Sequence, residues 1–322
     1  MNIKRWIARR EPNWERLDGL LQQVERRGLR SLGAKQIREL ASLYRSVSAD
    51  LARARTNRVG KTIEGDLQRL TSRSYNQVYQ GFRRQEWQAV REFVAWGFPA
   101  LVQRTWGYIA IAAGLFLAGT LIAWWYAWQD PVFMSLVVPE ELIVKVRDRG
   151  ELWMGSIVGM EPLASSSIMT NNLRVSFGAV AGGITGGIYT TYILFYNGVL
   201  IGAIATLVGQ NGLAYPFWAF VLPHGSLELP AIFFAGGGGL LIARAILIPG
   251  QYRRKDALKF YGSQAAQLMF GVVVMLIIAG IIEGFFSPSP LVPDVFKYLV
   301  GAGIFSVFVL YCSRGFNDAE RG

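Results

Sequence analysis

The sequence predicts an all-α protein: a polytopic membrane helix bundle of about six transmembrane helices with one re-entrant segment, behind an N-terminal cytoplasmic helical domain. Three observations carry this reading. Of 322 residues, 17% are charged, 52% apolar and 13% aromatic, whereas about a quarter of an ordinary soluble chain is charged. The net charge of +11 is confined to the start: residues 1–104 hold 21 Lys and Arg against 10 Asp and Glu, and residues 105–322 hold 12 of each. Finally, the 53 residues from Val175 to Leu227 carry no formal charge. As one helix they would reach ~80 Å, against a hydrocarbon core of about 30 Å, so the run must cross more than once.

Residues 1–104 form the first domain. Met1 to Trp14 has basic residues but no apolar run behind them, unlike a cleaved signal peptide. Trp14, Leu17, Leu21 and Val24 recur at helical spacing and Gly28 and Gly33 close that segment. Ile37, Leu40, Ala41, Tyr44, Val47 and Leu51 mark one face of a helix over about Ala34–Asn57. A weaker segment over about Ile63–Gln80 carries Leu67, Leu70, Tyr75 and Val78. The arginine excess carries no nucleic-acid reading motif; a basic domain held near anionic headgroups on the cytoplasmic side explains it. From Glu86 to Trp106, Trp87, Val90, Phe93, Val94 and Phe98 alternate with Arg83, Arg84, Arg91 and Arg104. This is an amphipathic helix in the interface plane, turning into the bilayer at Gly97-Phe98-Pro99.

The transmembrane domain, residues 105–322, begins with a span over about 107–128, closed by Trp124, Trp125, Tyr126 and Trp128 as an aromatic belt. The loop 129–170 has a net charge of −3 and one short helix opened by Pro139 with Glu140 and Glu141, and it is placed outside. Spans are predicted over about 172–190 and 192–210, then a re-entrant segment Leu213–Leu222, and a span 230–249 opened by Pro230. The +3 stretch Gln251–Lys259 is placed inside, followed by spans over 268–286 and 296–312. This gives six crossings in a prokaryotic cell membrane with both termini cytoplasmic. Were residues 172–210 one tilted helix, five crossings would remain and the basic loop would face outward.

Gly178, Gly182 and Gly186 fall at i, i+4 and i+8, a packing seam within the bundle or between copies of the chain. The run Gly236–Gly239 makes no such stripe and reads as local looseness. Pro223-His224-Gly225-Ser226-Leu227-Glu228-Leu229-Pro230 holds the lone histidine and, one helical turn away, a carboxyl group. A glutamate in the bilayer needs a partner or water. Arg174, Arg244 and Glu283 are the candidates, with Arg174, His224, Glu228 and Glu283 toward the outer leaflet beside Asn171 and Asn172. The segment is either a lock on a broken helix or a polar, ion-coupling site at a re-entrant hairpin.

Other chemistry is excluded more directly. A lone cysteine, Cys312, and a lone histidine leave no thiolate cluster and no multi-histidine zinc site, and no metal or cofactor is predicted. His224 and Ser226 lack an orienting acid and a nucleophile elbow, and no phosphate-binding Gly-rich loop is present, so the protein is not predicted to be an enzyme.

Pro223 to Ala231 resembles the signature of the stage II sporulation protein M family, and Asn171-Asn172-Leu173-Arg174 is similar to its other recurring patch. The resemblance covers nearly the full chain and carries onto Asn171, Asn172, His224, Gly225 and Glu228 without a catalytic role. In endospore formers the family member is a polytopic protein that recruits or anchors a peptidoglycan-degrading machine. The resemblance therefore implies a non-enzymatic scaffold or assembly factor whose partners are the lipid bilayer and other membrane or envelope proteins; the alternative is a transporter or channel subunit. The amino-terminal domain is longer than in the sporulation protein itself.

Overall fold

The computed structural model describes residues 3–28, 31–154 and 161–314, and among these the regular elements are all helices. Residues 155–160 of the predicted outer loop and the predicted cytoplasmic C-terminus beyond Arg314 lie outside the described residues. The chain divides into two compact units, Met1–Phe93 and Val94–Gly322. The second begins ahead of the charge boundary at Arg104, because Phe98 and Leu101 are buried.

In the first unit, α1 (Ile3–Arg27), α2 (Ala34–Thr56) and α3 (Lys61–Glu92) share one core. Leu17, Leu20, Leu21 and Val24 of α1 meet Leu40, Val47, Leu51 and Ala54 of α2 and Leu67 of α3. Helix α1 runs through Pro12, which sits on the exposed side, where the Ala8 carbonyl it leaves without a donor can take water. Helix α3 extends past its expected end near Gln80; the side chains of residues 78–86, among them Val78, Arg83 and Arg84, lie outside the described set.

Two polar clusters fasten these helices. The fully buried Asp50 accepts from Arg10 Nε at 2.8 Å and Trp14 Nε1 at 3.0 Å, and Arg10 also donates to Ser46. Arg73 of α3 reaches α1, donating to both Glu25 oxygens at 2.9 Å and to Asp18 at 2.6 Å. The Arg73 hydrogen bonds hold the Glu25 carboxyl below its ordinary range and raise the guanidinium. Because the folded value of Glu25 is lowered, this contribution is present above the ordinary carboxylate range and is lost as pH falls through the lowered value. In the full-length protein, Arg73→Gln is expected to speed amide exchange in α1 and α3 about 2–5-fold at neutral pH, the scale of a half-exposed ion pair worth about 0.5–1 kcal/mol. The difference from wild type should shrink at acid pH; a pH-independent difference would exclude the carboxylate as its source.

A π turn at Phe93–Gly97 precedes the second unit's helices: α4 (Phe98–Gln129), α5 (Pro131–Val137), α6 (Glu140–Arg149), α7 (Glu161–Ala181), α8 (Ile188–Gln210), α9 (Ala214–Leu247), α10 (Arg254–Ile281) and α11 (Asp294–Cys312). Among the described residues, five stretches are long and apolar enough to cross a membrane: Trp87–Gln129, Ile188–Gln210, Ala214–Leu247, Arg254–Phe286 and Asp294–Cys312. Helix α7, with 21 residues, is a sixth long helix and packs against α8, α9 and α10. The predicted count of about six thus corresponds to six long helices, but their limits differ.

The break between α7 and α8 falls at 182–187, ahead of the expected position near Tyr189–Tyr192. A 3-10 turn over Gly182–Thr185 is followed by Gly186 and Gly187 at φ +69° and +87°, left-handed conformations that reverse the chain and that glycine adopts without strain. One tilted helix over 172–210 is thereby ruled out. Gly178, Gly182 and Gly186 each pack against a neighbour but do not form one helical stripe: Gly178 is in α7 against Ile193, Gly182 opens the 3-10 turn against the Thr190 backbone, and Gly186 is a turn residue against Leu247.

The re-entrant segment is a second correction. Leu213–Leu222 and 230–249 are not separate: α9 is one 34-residue helix through Pro223 and Pro230. Each proline removes one helical hydrogen bond, a loss that membrane helices tolerate when neighbours pack around it. Helix α9 is central, touching α4, α7, α8, α10 and α11. The reading of Gly236–Gly239 as looseness is also overturned, since all four are buried. Successive helical residues point about 100° apart, so four glycines bare the helix on every side. A Cβ on Gly236 would meet Leu194 and Ala112, on Gly237 Ile109, on Gly238 Ala265 and Val180, and on Gly239 the Ala179 carbonyl at 2.2 Å. Four neighbours can therefore reach this one helix.

Helices α4 and α8 run parallel at backbone contact, with Gly198 against the Phe116 carbonyl and Gly202 against that of Thr120. Gln103 Nε2 donates to the carbonyls of Cys312 (2.8 Å) and Arg314 (2.7 Å), so α4 starts where α11 ends. At the other end α5 and α6 bury Met134, Val138, Ile143 and Val146 against Ala127, Ala203, Leu207, Phe217 and Phe220, docking much of the predicted acidic loop on the bundle. The exposed Trp124, Trp125, Tyr126 and Trp128 ring that end of α4, while Tyr189, Tyr192 and Tyr196 stack along the start of α8.

Candidate functional site

Three helices bring polar side chains to one buried point. On α9, His224 and Glu228 are one turn apart and face the same way, as their spacing predicts. Glu283 comes from a π turn, Ile282–Phe286, at the end of α10, and Ser287 follows it with an amide donating five residues back to the Ile282 carbonyl at 2.9 Å. Such a turn shifts the facing of later residues and recurs at functional sites. Asn172 projects from the middle of α7.

Asn172 Nδ2 donates to Glu228 Oε1 at 2.7 Å. His224 Nδ1 lies 3.0 Å from Ser287 Oγ and its Nε2 lies 3.8 Å from Glu283 Oε1. The Phe220 ring packs edge-on against the imidazole, with centroids 5.2 Å apart. His224 is 4% exposed and Glu283 7%, and Glu283 Oε2 has no hydrogen-bond partner among the described residues. One ligand-type atom from each of His224, Glu228 and Glu283 lies within 4.8 Å of the others. Ser226 turns away, donating to the Pro223 carbonyl at 2.9 Å, and Gly225 is buried with Val221 beside it.

Of the partners expected for Glu228, only Glu283 joins the cluster. Asn171 and Arg174 are exposed: at about 100° per residue, a helix that turns Asn172 toward α9 turns Arg174 to the opposite side. Arg244 lies sixteen residues along α9, about 24 Å at the helical rise. It donates to Tyr108 Oη at 2.5 Å and sits over the Tyr261 ring at 5.3 Å. Sequence reasoning misses Ser287, which is 63 residues from His224 and directly follows the π turn.

Five helices capable of crossing a membrane, with a polar cluster enclosed between their neighbours, define a polytopic helical membrane protein. The family model for stage II sporulation protein M matches residues 112–288, more than half of the chain and enclosing all the clustered residues, and the chain belongs to that family. Residues 4–80 match a second family model, a domain of unknown function, DUF8413. The chain is similar to two uncharacterized proteins of Methanocaldococcus jannaschii. It is 27% identical to MJ0706 over 30% of this chain and 45% of that protein, and 32% identical to MJ0793 over 38% of this chain and 70% of that protein. The chain thus spans less than half of MJ0706. No solved structure matches it.

Proposed function

We propose that this protein is a non-enzymatic scaffold or assembly factor for a membrane or cell-envelope complex, seated in the cell membrane with both termini cytoplasmic. The observation that carries the reading is that Asn172 of α7, His224 and Glu228 of α9, and Glu283 and Ser287 at the end of α10 converge on one point and so connect three helices. Asn172 holds Glu228 while Ser287 and Glu283 flank His224. The arrangement locks helices together, and the continuous α9 removes the re-entrant hairpin on which a permeation path was expected. What remains for contact with other proteins is the charged surface of the first unit and the α5–α6 layer. The topology counts α7 as a sixth crossing beside the five apolar stretches, and the +3 segment Gln251–Lys259, on the side where α4 begins, supports it.

Purification from native membrane, followed by identification of co-purifying chains, tests the reading; stoichiometric envelope or membrane partners are expected. Recovery of the chain alone, with solute or ion flux after reconstitution that Glu228→Gln abolishes, would replace it with the transport reading. In cells, Glu228→Leu, which strips Asn172 of its acceptor, is expected to lower abundance several-fold, as a loss of about 1–2 kcal/mol does. A variant of normal abundance that has lost cellular function would instead assign the carboxyl an active role.

A further inference from the structure

We propose that His224, Glu228 and Glu283 bind a single divalent transition-metal ion of the zinc or manganese type, clipping α9 to the end of α10. The argument begins with charge. Two carboxyl groups meet at a bundle interior beside one imidazole, and the cluster offers them no cation of its own. Enclosed carboxyl oxygens require a proton, a positive partner or hydrogen-bond donors. One Glu228 oxygen has a donor in Asn172, but Glu283 Oε2, on a side chain more than nine-tenths buried, has none among the described residues. A dication neutralises both carboxylates at once.

Geometry agrees. Metal–ligand bonds of about 2.0–2.2 Å set the ligands of one tetrahedral ion about 3.3–3.6 Å apart. His224 Nε2 and Glu283 Oε1 stand at 3.8 Å, and all three ligand atoms fall within 4.8 Å, so side-chain adjustment alone closes the set. The outer partners are those that metal ligands use. His224 turns Nδ1 to Ser287 Oγ, which leaves Nε2 facing Glu283, and Asn172 orients Glu228. The π turn supplies Glu283 and Ser287 together, which explains why the backbone is irregular there. One imidazole with two carboxylates favours a transition metal over calcium, which takes six to eight oxygens. A single histidine, with no cysteine in the cluster, excludes only the nitrogen- and sulfur-rich zinc sites, not this set.

The inference is independent of the scaffold reading, because metal loading is measured on the chain alone. The full-length protein, carrying a histidine-free tag and held in lipid nanodiscs, would be dialysed against buffered Zn2+ or Mn2+ with excess Mg2+ and Ca2+, and its metal content determined. About one ion per chain is expected, with affinity reduced at least about tenfold in Glu283→Gln, the scale of losing even an outer partner. Asn171→Ala, outside the cluster, should bind as wild type. Wild-type protein that holds neither ion, or a Glu283→Gln variant that binds equally well, overturns the proposal. Should Glu283→Gln fail to fold, Co2+ titration of the wild type decides: ligand-field absorbance saturating at one equivalent supports the site, and its absence refutes it.

Discussion

Gly198→Ala is expected to lower the stability of the solubilised bundle by about 3 kcal/mol, the upper range for overpacking, because the obstruction is backbone and not a side chain that can swing aside. A Cβ there would lie 2.0 Å from the Phe116 carbonyl oxygen, and one on Gly202 would lie 2.2 Å from that of Thr120. The two sites are one turn apart on the same seam, so either substitution must push α4 and α8 apart. Apparent melting by size-exclusion chromatography should fall by about 6–12 °C. The comparison that gives this meaning is Gly262→Ala in α10 and Gly303→Ala in α11, where nothing lies within 4 Å of the added carbon. Those changes should be neutral or stabilising, since alanine exceeds glycine in helix propensity by about 1 kcal/mol. Equal losses at all of these positions would show that the seam is not the reason.

Arg10→Met should have a comparable effect in the first unit. Asp50 is fully buried and its Oδ1 has no partner among the described residues, so the Arg10 guanidinium and the Trp14 indole are what offset its burial. Removing one member of a buried ion pair costs about 3–5 kcal/mol, because the remaining charge stays out of water. Methionine keeps most of the side-chain bulk, so the loss is electrostatic. Hydrogen exchange of the full-length protein should show α1 and α2 losing protection by orders of magnitude, while α8 and α9 keep theirs. Retained protection in α2 would mean that Asp50 does not depend on Arg10.

Much of the fold was legible in the sequence for reasons that individual residues make plain. Leu17, Leu21, Val24, Leu40, Val47 and Leu51 are core residues because a 3.6-residue repeat states which face of a helix is apolar. The failures share a different cause. Proline and glycine were read as breaks or looseness from their local cost, yet Pro223, Pro230 and Gly236–Gly239 lie inside one helix. Five neighbouring helices surround it, and local propensity yields to packing of that extent. Conversely, Gly186 and Gly187 do end a helix, and nothing in their composition distinguishes them from Gly236 and Gly237.

The candidate site was half legible. The four-residue spacing of His224 and Glu228, and their place in an apolar run, marked them as exceptional, and helical geometry alone required them to face one way. Of their partners, Glu283 and Asn172 were among the residues expected at that level, but nothing separated them from Arg174, Asn171 and Arg244, and Ser287 was missed. Asn172, Glu283 and Ser287 come from 52 residues before His224 and 59 and 63 residues after it, and a sequence does not state which turns of different helices share a level. That level is set by the glycine contacts that register α7, α8 and α9, and by the π turn that rotates Glu283 inward.

The sequence by itself determined the solvent of each part of the chain and the family, because charge and apolar length decide where a segment is stable whatever it packs against. Only the tertiary structure decided that α9 is unbroken and that Glu228 meets Asn172 and not Arg174. Those outcomes depend on which surfaces fit together, and fit is a property of pairs of helices that neither helix carries alone.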